Sequence, residues 1–257
     1  MNASGYFLHH GLPELVEASK APPLPTNQLQ TDTPYRPELA DLQFLHNLIL
    51  EKKRTTVLEF GCGWSTLVMS HALSLNRATY DISHLRRNNP FELHSVDNVQ
   101  KWIDVAKRRS PDVHFHFSPV QMTQWNGRIA TEFKTLPLVN SDFIYLDGPD
   151  QFDVLGDVNG ISTRHKDMLP MACDILKIEH FLTPGTILVV DGRTANARFL
   201  HANLQRDWDY EHHIEEDRHV FTLVEAPLGK HNANQLRFYE SAFQQEQRQA
   251  DTVLETA

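Results

Sequence analysis

The run Val57-Leu58-Glu59-Phe60-Gly61-Cys62-Gly63-Trp64-Ser65-Thr66 holds the first residues suited to chemistry. An apolar strand feeding Gly-x-Gly and then a helix lets the backbone approach a ligand closely, where the helix's free N–H groups point outward. A dinucleotide fingerprint needs a third Gly or Ala where this chain has Thr66, and no Gly-Lys-Ser/Thr is present, which excludes a P-loop. Glu59 stands two residues before Gly61, where a carboxylate can accept from a ligand amine or orient the loop. Asp97, in Ser95-Val96-Asp97-Asn98, suits bidentate acceptance from two ribose hydroxyls. The interval from Gly63 to Asp97 exceeds the ~20 residues of a compact dinucleotide unit, and the excess reads as a loop insertion over Asn76–Pro90. Asp147-Gly148-Pro149-Asp150 and Asp191-Gly192-Arg193 put two more carboxylates after apolar runs. Cys62 has no base near it in sequence and reads as a small loop residue.

These residues require a frame. Thr56–Glu59, Phe91–Val96, Val113–Phe117, Asp142–Asp147 and Thr186–Val190 read as five strands, near-continuous in apolar character. Helical spacing predicts helices over Glu38–Lys52, Ser65–Leu75, from Asn98 onward, around Lys166–Phe181 (delayed or kinked by Pro170) and near Ala195–Gln205. Two last strands, about Tyr210–Glu215 and His219–Glu225, lack an intervening helix and need an antiparallel hairpin. Such alternation calls for a mostly parallel sheet covered on both faces, an α/β fold. Met1–Pro37 is Pro-rich and reads as an extended arm, so we divide the chain into an arm with its helix (1–54), a core (55–228) and a polar tail (229–257). Within the tail, Leu236, Phe238, Tyr239 and Phe243 can dock one helix.

Composition narrows the partners. Against 24 basic residues stand 33 acidic ones, a net charge of −9, which argues against a non-specific nucleic-acid binder. No apolar run approaches the ~20 residues that span a bilayer, and no signal peptide is read, so neither membrane nor export is expected. Two cysteines, Cys62 and Cys173, make no disulfide framework and fit a cytoplasmic location. Fifteen histidines include His9-His10, His114-x-His116 and His212-His213. None has a Cys or carboxylate at a zinc-motif spacing, and His114 and His116 share one strand face, so no metal is assigned.

Taken in order, Glu59-x-Gly61-x-Gly63, Asp97, Asp147, Leu182-Thr-Pro-Gly-Thr-Ile-Leu-Val-Val-Asp191 and the closing strand pair resemble the class I S-adenosylmethionine-dependent methyltransferases. The resemblance covers roughly Thr56–Glu225. It implies a Rossmann-like three-layer sandwich on a seven-stranded, mostly parallel sheet with the last strand antiparallel. It also implies S-adenosylmethionine held at Glu59, Gly61, Cys62, Gly63, Ser65, Thr66, Asp97 and Asn98, with adenine packed near Ser118–Val120 and the methyl delivered beside Asp147 and Gly148. Trp64-Ser65 and Ser118-Pro119 depart from the family pattern.

A sulfonium methyl is already electrophilic, so the protein need only align an acceptor and take its proton. Asp147, Asp191 and His165 are the candidate bases, and Arg193 can pair an anionic acceptor group. Asp147 with Asp191 also resembles the metal-dependent catechol-type enzymes of that family, but Gly192 stands where their Asn would ligate Mg²⁺. The expectation is methyl transfer to oxygen or nitrogen of a small molecule, by a chain that can pair as a homodimer. The alternatives are an NAD-dependent oxidoreductase on a similar sheet and a binding protein on a degenerate methyltransferase fold. An acidic crevice suits a cationic sulfonium better than a phosphate-rich cofactor. The Pro-rich arm and the Asn76–Pro90 insertion are the expected sources of acceptor specificity.

Overall fold

The computed structural model describes residues 2–23 and 34–241. Ten strands run in chain order as β1 (Thr56–Phe60), β2 (Glu92–Asp97), β3 (His114–Phe117), β4 (Val120–Trp125), β5 (Arg128–Phe133), β6 (Phe143–Leu146), β7 (Val154–Leu155), β8 (Ile187–Asp191), β9 (Trp208–His213) and β10 (Arg218–Leu223). Seven form one sheet in the order β3-β2-β1-β6-β8-β10-β9. All its neighbours pair in parallel except β10, which runs antiparallel to both β8 and β9. The expected α/β, Rossmann-like sheet with an antiparallel last strand is therefore present.

Strand alternation explains the two cores. Val57, Phe143, Tyr145, Ile187 and Val189 face one side, against helices α1 (Ala3–His9), α2 (Pro13–Ala18), α3 (Leu39–Glu51) and α4 (Trp64–Thr79). Leu58, Ile144, Leu146, Leu188 and Val190 face the other, against α6 (Asp174–Ile178) and α7 (Thr194–His201). The fifth helix, α5 (Gln100–Arg109), lies beside α4 and the β2–β3 edge. The central strands are buried on both faces, so β6, and β8 up to Asp191, are apolar runs, whereas β1 also buries Thr56 and Glu59.

Several expectations change. The first residues are not an extended arm: α1 and α2 bury Phe7 and Leu15 completely in the α3–α4 core, each worth roughly 1.5–3 kcal/mol. Residues 24–33 of the expected arm lie outside the described residues. Helix α4 continues to Thr79, and buried Asn76 donates from its side chain to the carbonyls of Ile49 and Arg54 at 3.0 and 2.9 Å. Residues 166–173, expected to be helical, are not; the helix begins only at Asp174, past the Pro170 that blocks an earlier start. A second sheet, β5-β4-β7, was not foreseen. Its hairpin turns at Asn126-Gly127, both at positive φ, the left-handed pair that a two-residue turn requires. Residues 229–241 are helical and dock through Leu236 and Tyr239 on Gly185, while Phe243 lies outside the described residues. Among the described residues no helix is long and apolar enough to cross a membrane.

Candidate active site

The strand order reverses between the parallel strands β1 and β6: from β1 the chain crosses to β2 and β3 on one side, whereas β6, β8 and β10 follow on the other. Ligands of open α/β sheets bind in the crevice outside the strand C-termini at such a point. Here Gly61 and Gly148 meet back to back. A Cβ on Gly61 would lie 2.8 Å from the Gly148 nitrogen, and one on Gly148 would lie 2.7 Å from the Gly61 nitrogen. Gly61 also sits at φ +90°, so both its space and its conformation demand glycine. This approach holds the loops after β1 and β6 together as the floor of a cavity of about 370 Å³, a size suited to a small ligand.

Gly61, Cys62, Gly63, Ser65, Asp97, Asp147, Gly148, Asp191 and Arg193, all singled out in the sequence, line this cavity. Asp97 is buried, and each carboxylate oxygen takes a backbone N–H: Oδ2 from Cys62 at 2.9 Å and Oδ1 from Val99 at 2.7 Å. Each oxygen keeps a second lone pair for a ligand hydroxyl. Burial pushes the Asp97 carboxyl up despite those bonds. Asp147 has one long partner, Arg193 Nε at 3.4 Å, and Arg193 is tied in turn to the Pro149 carbonyl at 3.2 Å. The surrounding walls thin the water around Asp147 and raise its pKa, against the pull of Arg193.

Asp191 accepts the Tyr145 hydroxyl at 2.9 Å. Burial and then the neighbouring Asp147 charge raise the Asp191 pKa. Beyond it, Asp41 on α3 pairs with Arg218 at 3.2 Å; burial and then Asp191 raise Asp41 as well. The result is a chain of carboxylates, each held partly toward its neutral form.

Sequence reasoning missed several of the walls: Asp41, Tyr145, Trp64, Trp102 and Arg109 line the cavity, as does the segment from Pro34 to Glu38, where the arm leads into α3. The Arg109 guanidinium stacks 3.6 Å from the Trp64 ring centroid, and the Trp64 indole donates to the Tyr35 carbonyl at 3.1 Å. That bond fastens the Pro34–Glu38 strap beside the glycine loop. The signals are faint: Trp64 stands out only as a departure from a pattern, and Tyr145 is one apolar-face position inside a strand.

Other expected residues fall elsewhere. Glu59 is fully buried behind the loop, where it accepts Ser65 Oγ at 2.6 Å and Thr66 Oγ1 at 2.7 Å, while Thr66 Oγ1 accepts the Gly63 N–H at 3.0 Å. Burial pushes its pKa up to about 7 although Ser65, Ser95 and Thr66 favour the anion. Glu59 and Thr66 thus orient the loop rather than face the cavity. Asn98 is likewise buried and clamps the Asp150 loop, accepting from the Asp150 N–H at 2.9 Å and donating to the Asp153 carbonyl at 2.6 Å. Ser118 turns its hydroxyl to the Thr135 N–H at 2.9 Å, and Val120 is core, so neither forms a cavity wall. His165 is on an exposed loop outside the cavity, its Nδ1 accepting from the Asp167 N–H at 3.1 Å. Burial and the Asp97 and Glu59 charges push the Cys62 thiol up, which fits an inert loop residue. The insertion ends at the opposite, N-terminal end of the central strands, where Arg87 pairs with Asp142 at 3.2 Å, and it does not border the cavity.

No protein-family model matches the chain, and no curated protein does. Solved structures resemble it at low identity. One is an S-adenosylhomocysteine-bound methyltransferase, PaMTH1, from Podospora anserina: 14% identity, 88% of this chain and 89% of that one, TM-score 0.46. A second is the O-methyltransferase TomG from Streptomyces achromogenes, in complex with SAM: 15%, 82% and 89%, TM-score 0.42. A third is the O-methyltransferase from Bacillus cereus in complex with SAH: 13%, 82% and 89%, TM-score 0.41. The fold stands on the strand order itself.

Proposed function

We propose that the protein is an S-adenosylmethionine-dependent methyltransferase acting on an oxygen or nitrogen of a small molecule. The observation that carries this reading is the convergence of the Gly61–Gly63 loop, Asp97 and Asp147 on one cavity at the switch point of the sheet. The donor set fits the cofactor. A Cβ at Gly63 would enter open space, leaving room beside the loop. Asp97 keeps lone pairs for both ribose hydroxyls, and the acids Asp97, Asp147 and Asp191 favour a cation over a polyphosphate.

When bound, the cofactor supplies an electrophilic methyl. The chain's own residues would do the rest. Asp191, held by Tyr145 and raised by burial beside Asp147, is the candidate proton acceptor for a hydroxyl or ammonium. Arg193, reaching from the residue before α7 toward Asp147 and Pro149, is placed to pair an anionic acceptor group. The Pro34–Glu38 strap with Trp64 would exclude water and select acceptors by shape. The two cysteines, unpaired in the structure, are the ground for placing it in the cytoplasm, and residues 55–228 would be its cofactor-binding core.

Isothermal titration with S-adenosylhomocysteine tests the cofactor. Wild-type protein should bind, and Asp97→Ala should bind at least ~10-fold more weakly, since hydrogen bonds to a charged acceptor contribute ~1.5–3 kcal/mol each. Absence of heat from wild-type protein would refute the assignment. Binding without transfer to any hydroxyl or amine acceptor would point instead to a binding protein.

A further inference from the structure

We infer that Glu92, His94 and His114 form a site for a zinc-like divalent transition-metal ion where edge strand β3 joins β2. Spacing within β3 alone yields no ligand set; the pairing of β3 with β2 does. Glu92 and His94 lie two apart on β2, and His114 and His116 two apart on β3, with His94 directly opposite His114 in register. Period-two alternation therefore puts all four side chains on one face. One ligand atom from each of Glu92, His94 and His114 lies within 4.8 Å of the others. The Glu92 carboxylate oxygen Oε2 is 3.0 Å from His94 Nε2 and 3.6 Å from His114 Nε2. Bonds of ~2.0–2.2 Å in a tetrahedral site place donor atoms about 3.4 Å apart, and the two separations bracket that edge.

The surrounding groups complete the coordination chemistry. His94 Nδ1 is 3.2 Å from His116 Nε2. With the metal on Nε2, the His94 proton resides on Nδ1 and is donated to His116, the outer bond that orients a ligating imidazole. Asn89 Nδ2 donates to Glu92 Oε2 at 2.8 Å and fixes the carboxylate. His114 stacks on His94 with centroids 4.7 Å apart, and its side chain is 51% exposed, free to rotate its lone pair inward and open to an arriving ion. Two imidazoles with one carboxylate favour zinc, cobalt or nickel over Mg²⁺ or Ca²⁺, which take oxygen donors. A fourth position is left to water.

A second cluster, His212, Asp217 and His219, is equally dense, but both ring nitrogens of its His219 are bonded to groups outside the cluster. His219 meets Tyr210 Oη at 2.8 Å and Thr194 Oγ1 at 2.9 Å, and that same Thr194 hydroxyl bonds Asp217. In the first cluster the bond that a metal would replace, His94 Nε2 to Glu92 Oε2 at 3.0 Å, joins two of its own ligands, so no bond outside the cluster is lost.

The test is zinc titration of the untagged full chain by calorimetry, with Co²⁺ substitution read by the visible absorption of a tetrahedral site. We expect one zinc ion per chain and a melting temperature raised by the metal. Glu92→Gln and His114→Ala should each weaken zinc binding at least ~10-fold, and His116→Ala about 10-fold as the loss of an outer-shell partner. His212→Ala should bind as wild type, and the metal-free melting of His114→Ala should match wild type. Zinc binding unchanged in Glu92→Gln and His114→Ala, binding lost in His212→Ala instead, or no zinc bound below millimolar concentration would each overturn the proposal.

Discussion

Strand β6 has an aspartate at each end, and the two live in opposite conditions. Asp142, before its first residue, is 1% exposed and saturated. It accepts the Thr55 N–H at 3.0 Å, the Thr56 N–H at 2.9 Å, Thr55 Oγ1 at 2.6 Å and Tyr239 Oη at 2.8 Å, and it pairs with Arg87. Burial alone would push its carboxyl up, but Arg87 and Arg54 with those hydrogen bonds hold it below the usual range. Asp147, after the last residue, is 54% exposed into the cavity, has one long partner, and is raised. The same residue type on the same strand staples the fold where its lone pairs are all used, and waits for a ligand where they are not.

The sharpest way to break this contrast is to remove each acid in turn. Asp142→Ala strands Arg87 and Arg54 in the interior and should cost about 3–5 kcal/mol by urea denaturation. Asp147→Ala should cost less than ~1 kcal/mol, because its pair with Arg193 is solvent-screened, yet should abolish or strongly reduce methyl transfer. Equal losses of stability would dissolve the distinction.

Next in size comes Glu59. Its folded pKa, about 7, lies above the ordinary value of 4.5, so the folded state takes up a proton that the unfolded chain releases. Stability from this group is full below pH 4.5 and falls as pH rises to about 7, by about 3 kcal/mol at ~1.4 kcal/mol per unit. Buried Asp174, also raised to about 7 by burial, adds a slope of the same sign. Glu59→Gln should remove the first slope, measured as denaturant midpoints across that window, and leave the second for Asp174→Asn to remove. A smaller effect is expected at the satisfied end: Tyr239→Phe deletes one of the bonds to Asp142 and should cost about 1.5–3 kcal/mol with no change in cofactor affinity. If Tyr239→Phe instead weakened S-adenosylhomocysteine binding, the two ends of the sheet would be coupled.

The same contrast explains what could be read in the chain. The runs ending in Asp147 and Asp191 are legible because β6 and β8, buried on both faces, carry charge only at their ends, whereas Asp97 closes a strand that also holds His94 and Ser95. The Asn126-Gly127 hairpin is hard to read in the sequence although its strands alternate, since half their residues are polar and it stands outside the parallel units. The N-terminal helices hide behind six prolines that look like a linker, yet Pro13 opens α2 at a position where proline needs no N–H partner. His165 drew attention by residue type alone, whereas Asp41 and Arg218, far apart in the chain, meet only because α3 crosses the end of β10. The Glu92–His94–His114 cluster was invisible for the same reason: its ligands come from two strands, and register, not spacing, joins them.

The Trp64–Arg109 stack has a practical side. Two of the four tryptophans, Trp64 and Trp102, border the cavity, while Trp125 and Trp208 pack elsewhere in the second core. Indole emission responds to whatever displaces a guanidinium from its face, so the site carries its own optical gauge. Unlabelled protein should report occupancy of the crevice by a change in fluorescence, and Trp64→Phe separates that signal from the distant rings.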